Sequence, residues 1–425
     1  MVDLTFEPGP GFARRLDATD ELASSRDAFV IADPDLIYVD GNSLGRLPRQ
    51  TVERVQQVTV AEWGENLIRG WNAGWYTAPA RVGEKIAQLV GAGPGQIVIS
   101  DSTSVNLYKL AMAALAMRPG RDRIVSDVLN FPSDLYILQG AVHLLGNRHQ
   151  IFLVPSADDI TIDSSALFDA MDERTALVTL SHVAFKSGFL YDAAAVTERA
   201  HRVGALVLWD LSHSVGAVPI ELDRWGVDLA VGCTYKYLNG GPGSPAFLYV
   251  RRDLQEEARS PIWAWFGQHS PFAFDLEYEP TAGVAHFLAG TPPILSLLAM
   301  EPALDLLLEA GVERIRRKSV GLTSYLIYLL DTVLASLGFV LGSPRDLAQR
   351  GSHVSIRHPE GYRINRALIK EMNVLPDFRE PDNIRLGLTP LYTSFAEVWE
   401  AVDRIRQVME ERRYLRYPAE KLTVT

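Results

Sequence analysis

The chain has 425 residues, 47% hydrophobic and 22% charged, a soluble globular balance that excludes wholesale disorder and collagen-like or coiled-coil chains. At about 100 to 200 residues per domain the length fits two or three domains, or one large core with an appendage. Asp and Glu outnumber Lys and Arg by 52 to 41, a net charge of −11, which repels a phosphate backbone and argues against a nucleic-acid partner.

The first twelve residues carry Asp3, Glu7, Pro8 and Pro10 where an export signal has a basic region and an apolar run, so a cytoplasmic protein is expected. Residues 36–40 form a candidate strand ahead of Gly41-Asn42-Ser43-Leu44-Gly45. Gly91-Ala92-Gly93-Pro94-Gly95 lies between a helix and a following strand, the reverse of a dinucleotide loop, and reads as a turn. Short β-branched runs at 97–100, 123–127, 151–155, 176–181 and 205–210 then alternate with helical periodicity, as at 106–116 and 193–203. Strand then helix, repeated, predicts an α/β fold: a mostly parallel sheet covered on both faces.

After about residue 300 the pattern changes to helices at 302–318 and 320–337, strands at 353–357 and 383–388, and a last helix at 395–412. This predicts a smaller α+β C-terminal domain, with the boundary near Gly290-Thr291-Pro292-Pro293. The expected division is an N-terminal segment, 1–50, serving the active site and the small domain, a large domain at 51–300 and the small one at 301–425. The apolar stretch 325–341 is interrupted by Asp331, Thr332, Ser336 and Gly338. It reads as a buried helix stopped by Gly338, and no membrane span is expected.

Ligands of an open parallel sheet bind beyond the carboxyl ends of its strands. Three polar sites stand there: Asp210 with His213 three residues on, Lys236 between an apolar run and Gly240-Gly241, and Ser100-Asp101-Ser102-Thr103-Ser104 at a strand-to-helix junction. A helix N-terminus bearing hydroxyls suits a phosphate. A phosphate cradle, a strand-end Asp and a lysine together fit pyridoxal phosphate: the lysine forms a Schiff base and the Asp keeps the pyridine nitrogen protonated. Singly, each has a blander reading, since such an Asp is commonly a helix cap and a lysine is commonly solvated.

The strings Trp209-Asp210-Leu211-Ser212-His213-Ser214-Val215-Gly216 and Tyr235-Lys236-Tyr237-Leu238-Asn239-Gly240-Gly241-Pro242-Gly243 closely resemble the kynureninase family. The likeness extends through Gly41-Asn42-Ser43-Leu44-Gly45, Phe131-Pro132-Ser133-Asp134, Trp265-Phe266-Gly267, Gly290-Thr291-Pro292-Pro293 and Ile384-Arg385-Leu386. It implies a fold type I pyridoxal 5'-phosphate enzyme of the aminotransferase-like superfamily, acting as a homodimer with residues of both chains at each site. The implied reaction is hydrolysis of the Cβ–Cγ bond of L-kynurenine to anthranilate and L-alanine, in tryptophan catabolism and on the way to NAD.

The resemblance implies Lys236 as the Schiff-base residue, Asp210 on the pyridine nitrogen, His213 beside the ring and Phe131 stacked on it, with Asp134 close by. Thr103, Ser104 and Tyr235 would bind the phosphate, with Trp265 and Thr291 reaching it from the partner subunit. Arg385 would clamp the substrate's α-carboxylate, and Asn42, Ser43, Trp71 and Gly290 would complete the substrate pocket. Tyr235 is the expected proton-transfer group, its phenol made more acidic by nearby cations. A 3-hydroxyl buried against Gly290 and the Trp71 indole is left without a strong hydrogen bond, so the unsubstituted kynurenine is expected to be preferred.

Two rivals remain. Gly41 to Gly45 spells a serine-hydrolase elbow around Ser43, but only one candidate strand precedes it and Arg46-Leu47-Pro48 delays the helix. A cysteine desulfurase or class V aminotransferase shares the lysine and aspartate, but a desulfurase needs a nucleophilic cysteine well past the lysine. The single cysteine, Cys233, precedes Lys236 by three residues, reads as a buried small hydrophobe, and excludes both an intramolecular disulfide and a one-chain thiolate metal site. The nine scattered histidines form no metal-binding pattern.

Overall fold

The computed structural model describes residues 6–420; Asp3 of the N-terminal reading lies outside them. Thirteen strands are assigned among the described residues. In chain order they are β1 (Ile37–Tyr38), β2 (Ile97–Ile99), β3 (Arg123–Asp127), β4 (Gln150–Val154), β5 (Thr175–Ser181), β6 (Leu206–Asp210), β7 (Leu229–Gly232), β8 (Phe247–Val250), β9 (Val340–Leu341), β10 (His353–Arg357), β11 (Val374–Leu375), β12 (Asp377–Arg379) and β13 (Asn383–Gly387). Seven of them form one sheet in the order β2-β8-β7-β6-β5-β3-β4. Neighbours from β7 to β4 run parallel, while β8 is antiparallel to both β7 and β2. The fold is therefore α/β with a mostly parallel sheet.

The central strands are buried on both faces, which is why they read as unbroken apolar runs. Side-chain alternation splits β6 between two cores: Val207 and Trp209 join one hydrophobic cluster, Leu206 and Leu208 the other. The helix Thr103–Ala116 covers the second with Leu107, Leu110 and Ala114, and the helix Ala193–Arg202 covers the first with Val196 and Ala200.

A second sheet, β12-β13-β10-β9, is antiparallel. Its core gathers Leu322, Leu326, Val354, Ile384, Leu386 and Val402, and takes Phe12, Ile37 and Val39 from the N-terminal segment. β1 pairs in parallel with β11, tying that segment to the same unit.

The long helices differ from the expected pair. They run Glu301–Ala310 and Val312–Leu329, because Gly311 takes a φ of 75°, open to glycine and costly to other residues. Nothing at 318–320 interrupts the helix. Leu304, Leu307 and Ile315 pack on the large-sheet core, so the packing changes over inside the second helix and not at residue 300. Gly338, at φ 91°, ends the last turn. The stretch Val312–Leu337 is apolar and long enough to cross a membrane, but Leu322, Leu326 and Leu330 lie in the small-sheet core.

Candidate active site

The parallel strands end on one side of the large sheet, and a cavity of about 430 Å³ opens there. Ser102, Thr103 and Ser104 line one part of it, with Phe131, Asp134, Asp210, Tyr235 and Lys236 around the rest.

The hydroxyl end is built by helix capping. Ser102 is the N-cap of the helix Thr103–Ala116, its side chain accepting from the Val105 amide at 3.4 Å, so first-turn amides and the Thr103 and Ser104 hydroxyls face one space. Ser104 Oγ lies 3.2 Å from Ser133 Oγ, in the first turn of the helix Pro132–Leu144. Two helix starts therefore converge. Beneath them Asp101, at φ 44°, is paired with the fully buried Lys109, which also donates to the Phe287 carbonyl at 2.7 Å.

Asp210 ends β6 and accepts from the Ser212 amide at 2.9 Å and the Ser212 hydroxyl at 2.6 Å. Burial raises its carboxyl above the ordinary range, against the pull of Lys236 and of those two bonds. Asp134 is pushed up as well, by burial and then by the charge of Asp210. Lys236 Nζ lies 2.9 Å from His213 Nε2 and 5.8 Å from the Phe131 ring centroid. Burial, then the cations Lys236 and Arg385, keep His213 well below the usual imidazole range. A neutral ring accepts the ammonium proton at Nε2; its buried Nδ1 has no partner. Phe131 is held by its position as N-cap, its amide donating to Asn130 Oδ1 at 2.8 Å.

Tyr235 corrects an expectation. It borders the cavity, but its phenol is raised, not lowered, because Cys233 lies beside it, burial adds to this and Asp210 faces it. The Cys233 thiol is itself raised by burial and donates weakly to the Ser212 carbonyl at 3.8 Å.

Arg385 stands beside the cavity and does not line it. Its Nη2 is paired with buried Asp377 and donates to Ser43 Oγ at 3.0 Å, while Nη1 donates to the Phe185 carbonyl at 2.5 Å. With its amide oxygen turned to the fork, Asn42 accepts from Nε at 2.7 Å and Nη2 at 3.1 Å. Ser43 donates to Asp377 at 3.1 Å, so its hydroxyl serves the guanidinium cluster and meets no histidine of the kind a serine nucleophile needs.

Trp265, Thr291, Gly290 and Trp71 do not line this chain's cavity. Trp71 packs edge-on against Trp75 at 5.8 Å and tilted on Phe266 at 5.7 Å, because the segment around it coils into short helical turns under the large-sheet core. Trp265 meets Phe266 and Phe272 in a partly exposed aromatic group. Ser133, Ser212 and Asp377 were not singled out from sequence. For Asp377 a signal exists: Asp377-Phe378-Arg379 and Ile384-Arg385-Leu386 flank the turn-forming Pro381-Asp382 and alternate in polarity, as a hairpin does.

Comparison with known proteins adds to this geometry. Residues 315–405 match the family model described as kynureninase C-terminal domain. The chain is 44% identical over 402 residues to kynureninase from Pseudomonas fluorescens, spanning 93% of this chain and 94% of that protein. It is equally 44% identical over 403 residues to kynureninase from Burkholderia pseudomallei, spanning 94% and 95%. Among solved structures it resembles a cysteine desulfurase from Thermococcus onnurineus NA1 (TM-score 0.80, 19% identity, 92% of this chain and 99% of that one). A cysteine desulfurase from Escherichia coli is similar at a TM-score of 0.77 and 19% identity, with 92% and 99% covered. At such identities the structural likeness speaks to the fold.

Proposed function

The chain belongs to the kynureninase family, and on that premise we propose that it is a pyridoxal-phosphate hydrolase cleaving L-kynurenine to anthranilate and L-alanine. The observation that carries the reading is one cavity joining Lys236, Asp210 and the first turn of the helix Thr103–Ala116. The donor set fits the cofactor: a lysine, a buried carboxylate, an aromatic face and a hydroxyl-lined helix start supply partners for its carbonyl, ring nitrogen, ring and phosphate. Pyridoxal phosphate, when bound, would supply an electron sink for negative charge developing on the substrate carbons.

Lys236 would hold the cofactor through its amine and is the base placed to take the substrate's Cα proton. Asp210 would keep a proton on the pyridine nitrogen, since a cationic partner there would offset the burial that raises its carboxyl. Phe131 covers the ring. Thr103, Ser104 and Ser133 bind the phosphate, and Tyr235, which keeps its proton, donates and does not act as a base. Arg385 orients the α-carboxylate with Asn42 and Ser43 as its supports, a task suited to a planar fork. The α-proton is removed and later returned, water gives its oxygen to the γ-carbonyl carbon, and the Cβ–Cγ bond breaks with a proton added at Cβ, so one water is consumed for each aryl acid and alanine formed.

The dimer is part of the proposal. Trp263, Phe272, Phe274 and Leu276 are exposed around Trp265, an apolar surface of the kind that a partner covers. Trp265 and Thr291 would reach the partner's phosphate site from there. The test is titration of cofactor-free protein with pyridoxal phosphate, followed by L-kynurenine. Visible absorbance saturating at one equivalent per chain and changing on addition of L-kynurenine is expected; failure to bind the cofactor would overturn the reading.

A further inference from the structure

A second ionisable group stands at the Arg385 fork, and the reaction as described makes no use of it. Asp40 immediately precedes Gly41-Asn42-Ser43, and its backbone bridges to Gly387, two residues beyond Arg385. This brings Asp40 into one cluster with Arg385 and Asp377. Its Oδ1 is buried and has no hydrogen-bond partner.

Proton counting constrains its state. The Ser43 hydroxyl has one proton, which it donates to Asp377 at 3.1 Å, and its oxygen accepts from Arg385 at 3.0 Å. With the Ser43 proton given to Asp377, nothing donates to Asp40 Oδ1, and a buried carboxylate oxygen without a donor disfavours the ionised form. Charge counting agrees. Arg385 and Arg379 both pair with Asp377, so the cluster is net +1 when Asp40 is neutral and zero when it is ionised. A docking carboxylate meets a net cation only in the first case, and like charges crowded in a buried site disfavour a further anion.

We propose that Asp40 is a positioning residue for the carboxylate site, taking up a proton as a substrate carboxylate docks on Arg385. The proposal rests on the reading of Arg385 as the α-carboxylate clamp. The groups facing Asp40 are Asp377, Arg379 and Arg385 from β12 and β13, and the phenols of Tyr38, Tyr237 and Tyr392. Burial holds those phenols protonated, and burial with the nearby cations holds His213 and His353, which face Arg385, neutral. Burial first, and then Asp377, push the Asp40 carboxyl up to about 6, so in the free enzyme at neutral pH the proton comes from solvent.

The experiment titrates the holoenzyme with 4-(2-aminophenyl)-4-oxobutanoate, which keeps the carboxylate and aryl ketone of kynurenine but lacks the α-amine. Calorimetry in buffers of different ionisation enthalpy counts the protons exchanged. Wild type takes up close to one proton per site near pH 7, and its Kd weakens about tenfold or more between pH 6 and pH 8. Asp40→Asn binds with a pH-independent Kd and no uptake. Binding by wild type without proton uptake, or uptake that persists in Asp40→Asn, overturns the proposal. If the variant does not fold, the wild-type proton count still decides. An Arg385→Gln enzyme that binds the ligand as well as wild type shows instead that the clamp reading has failed, and the proposal with it; Arg385-dependent binding without uptake sinks Asp40 alone.

Discussion

The Lys236 amine lies 2.9 Å from Nε2 of His213, so the chain's proposed cofactor lysine is held by a ring that burial and neighbouring cations keep neutral. The ring can accept the ammonium proton but does not compete for positive charge. Asp210 and Asp134 lie close enough for their charges to act on each other and on Lys236, which makes the site a lysine set between an imidazole acceptor and two buried carboxyls.

Replacing that lysine therefore removes a reactive group without opening the core. Lys236→Ala is expected to lose turnover and covalent cofactor while keeping the circular dichroism and oligomeric mass of wild type. Borohydride reduction of wild type followed by peptide mapping should find the cofactor on Lys236. Reduced cofactor on another lysine would contradict this.

Lys109 is expected to matter through Asp101. Its side chain is fully buried, paired with Asp101, and donates to the Phe287 carbonyl at 2.7 Å. Lys109→Met leaves those partners unsatisfied beneath the helix start that would hold the phosphate. A loss of about 1–3 kcal/mol is expected, with weaker cofactor binding. Urea denaturation and a pyridoxal phosphate titration check both, and unchanged values would show the pair to be incidental.

His182 gives a pH dependence of known sign. It is buried against Trp209 and Trp225 at 5.5 and 5.7 Å, and burial lowers its imidazole from the ordinary 6.5 to about 4. The unfolded chain takes up this proton first as pH falls, so the contribution is complete above about 6.5 and is lost on the way down to 4. Between pH 6.5 and 5 that is about 2 kcal/mol. The stability gap between wild type and His182→Gln should narrow by about this amount from pH 7 to pH 5. A gap that stays constant would contradict the assignment.

Trp265 and Thr291 do not line their own chain's cavity, and the proposed dimer gives them a role in the partner's. Mixing inactive Lys236→Ala chains with chains mutated at both Trp265 and Thr291 should restore part of the activity, because one hybrid site is intact. No recovery after verified subunit exchange would count against shared sites.

Much of this architecture was legible in sequence because the strands that matter are buried on both faces. Runs such as Val207-Leu208-Trp209 leave little room for another reading. The helix break at Gly311 was not legible, since a glycine alone does not end a helix: Gly321 sits inside one, against Phe395, whereas Gly311 turns to positive φ. Lys236, Asp210 and the Thr103-Ser104 pair were readable from strand ends and helix starts, which are local. The raised Tyr235 phenol and the Asp377 partner of Arg385 depend on neighbours brought in by tertiary packing and by hairpin register. Trp71 packs on Trp75 and Phe266 and does not line its own chain's cavity, contacts that the segment's sequence does not announce.

The central claim meets its most direct test in the products formed by the purified, pyridoxal-phosphate-loaded protein. Given L-kynurenine, it should release anthranilate, followed by its fluorescence, and L-alanine in equal amounts, and it should leave L-cysteine largely untouched. Absence of anthranilate, with L-cysteine converted instead to alanine and bound sulfur, would contradict the account and move the chain's activity to that of the desulfurases whose fold it shares.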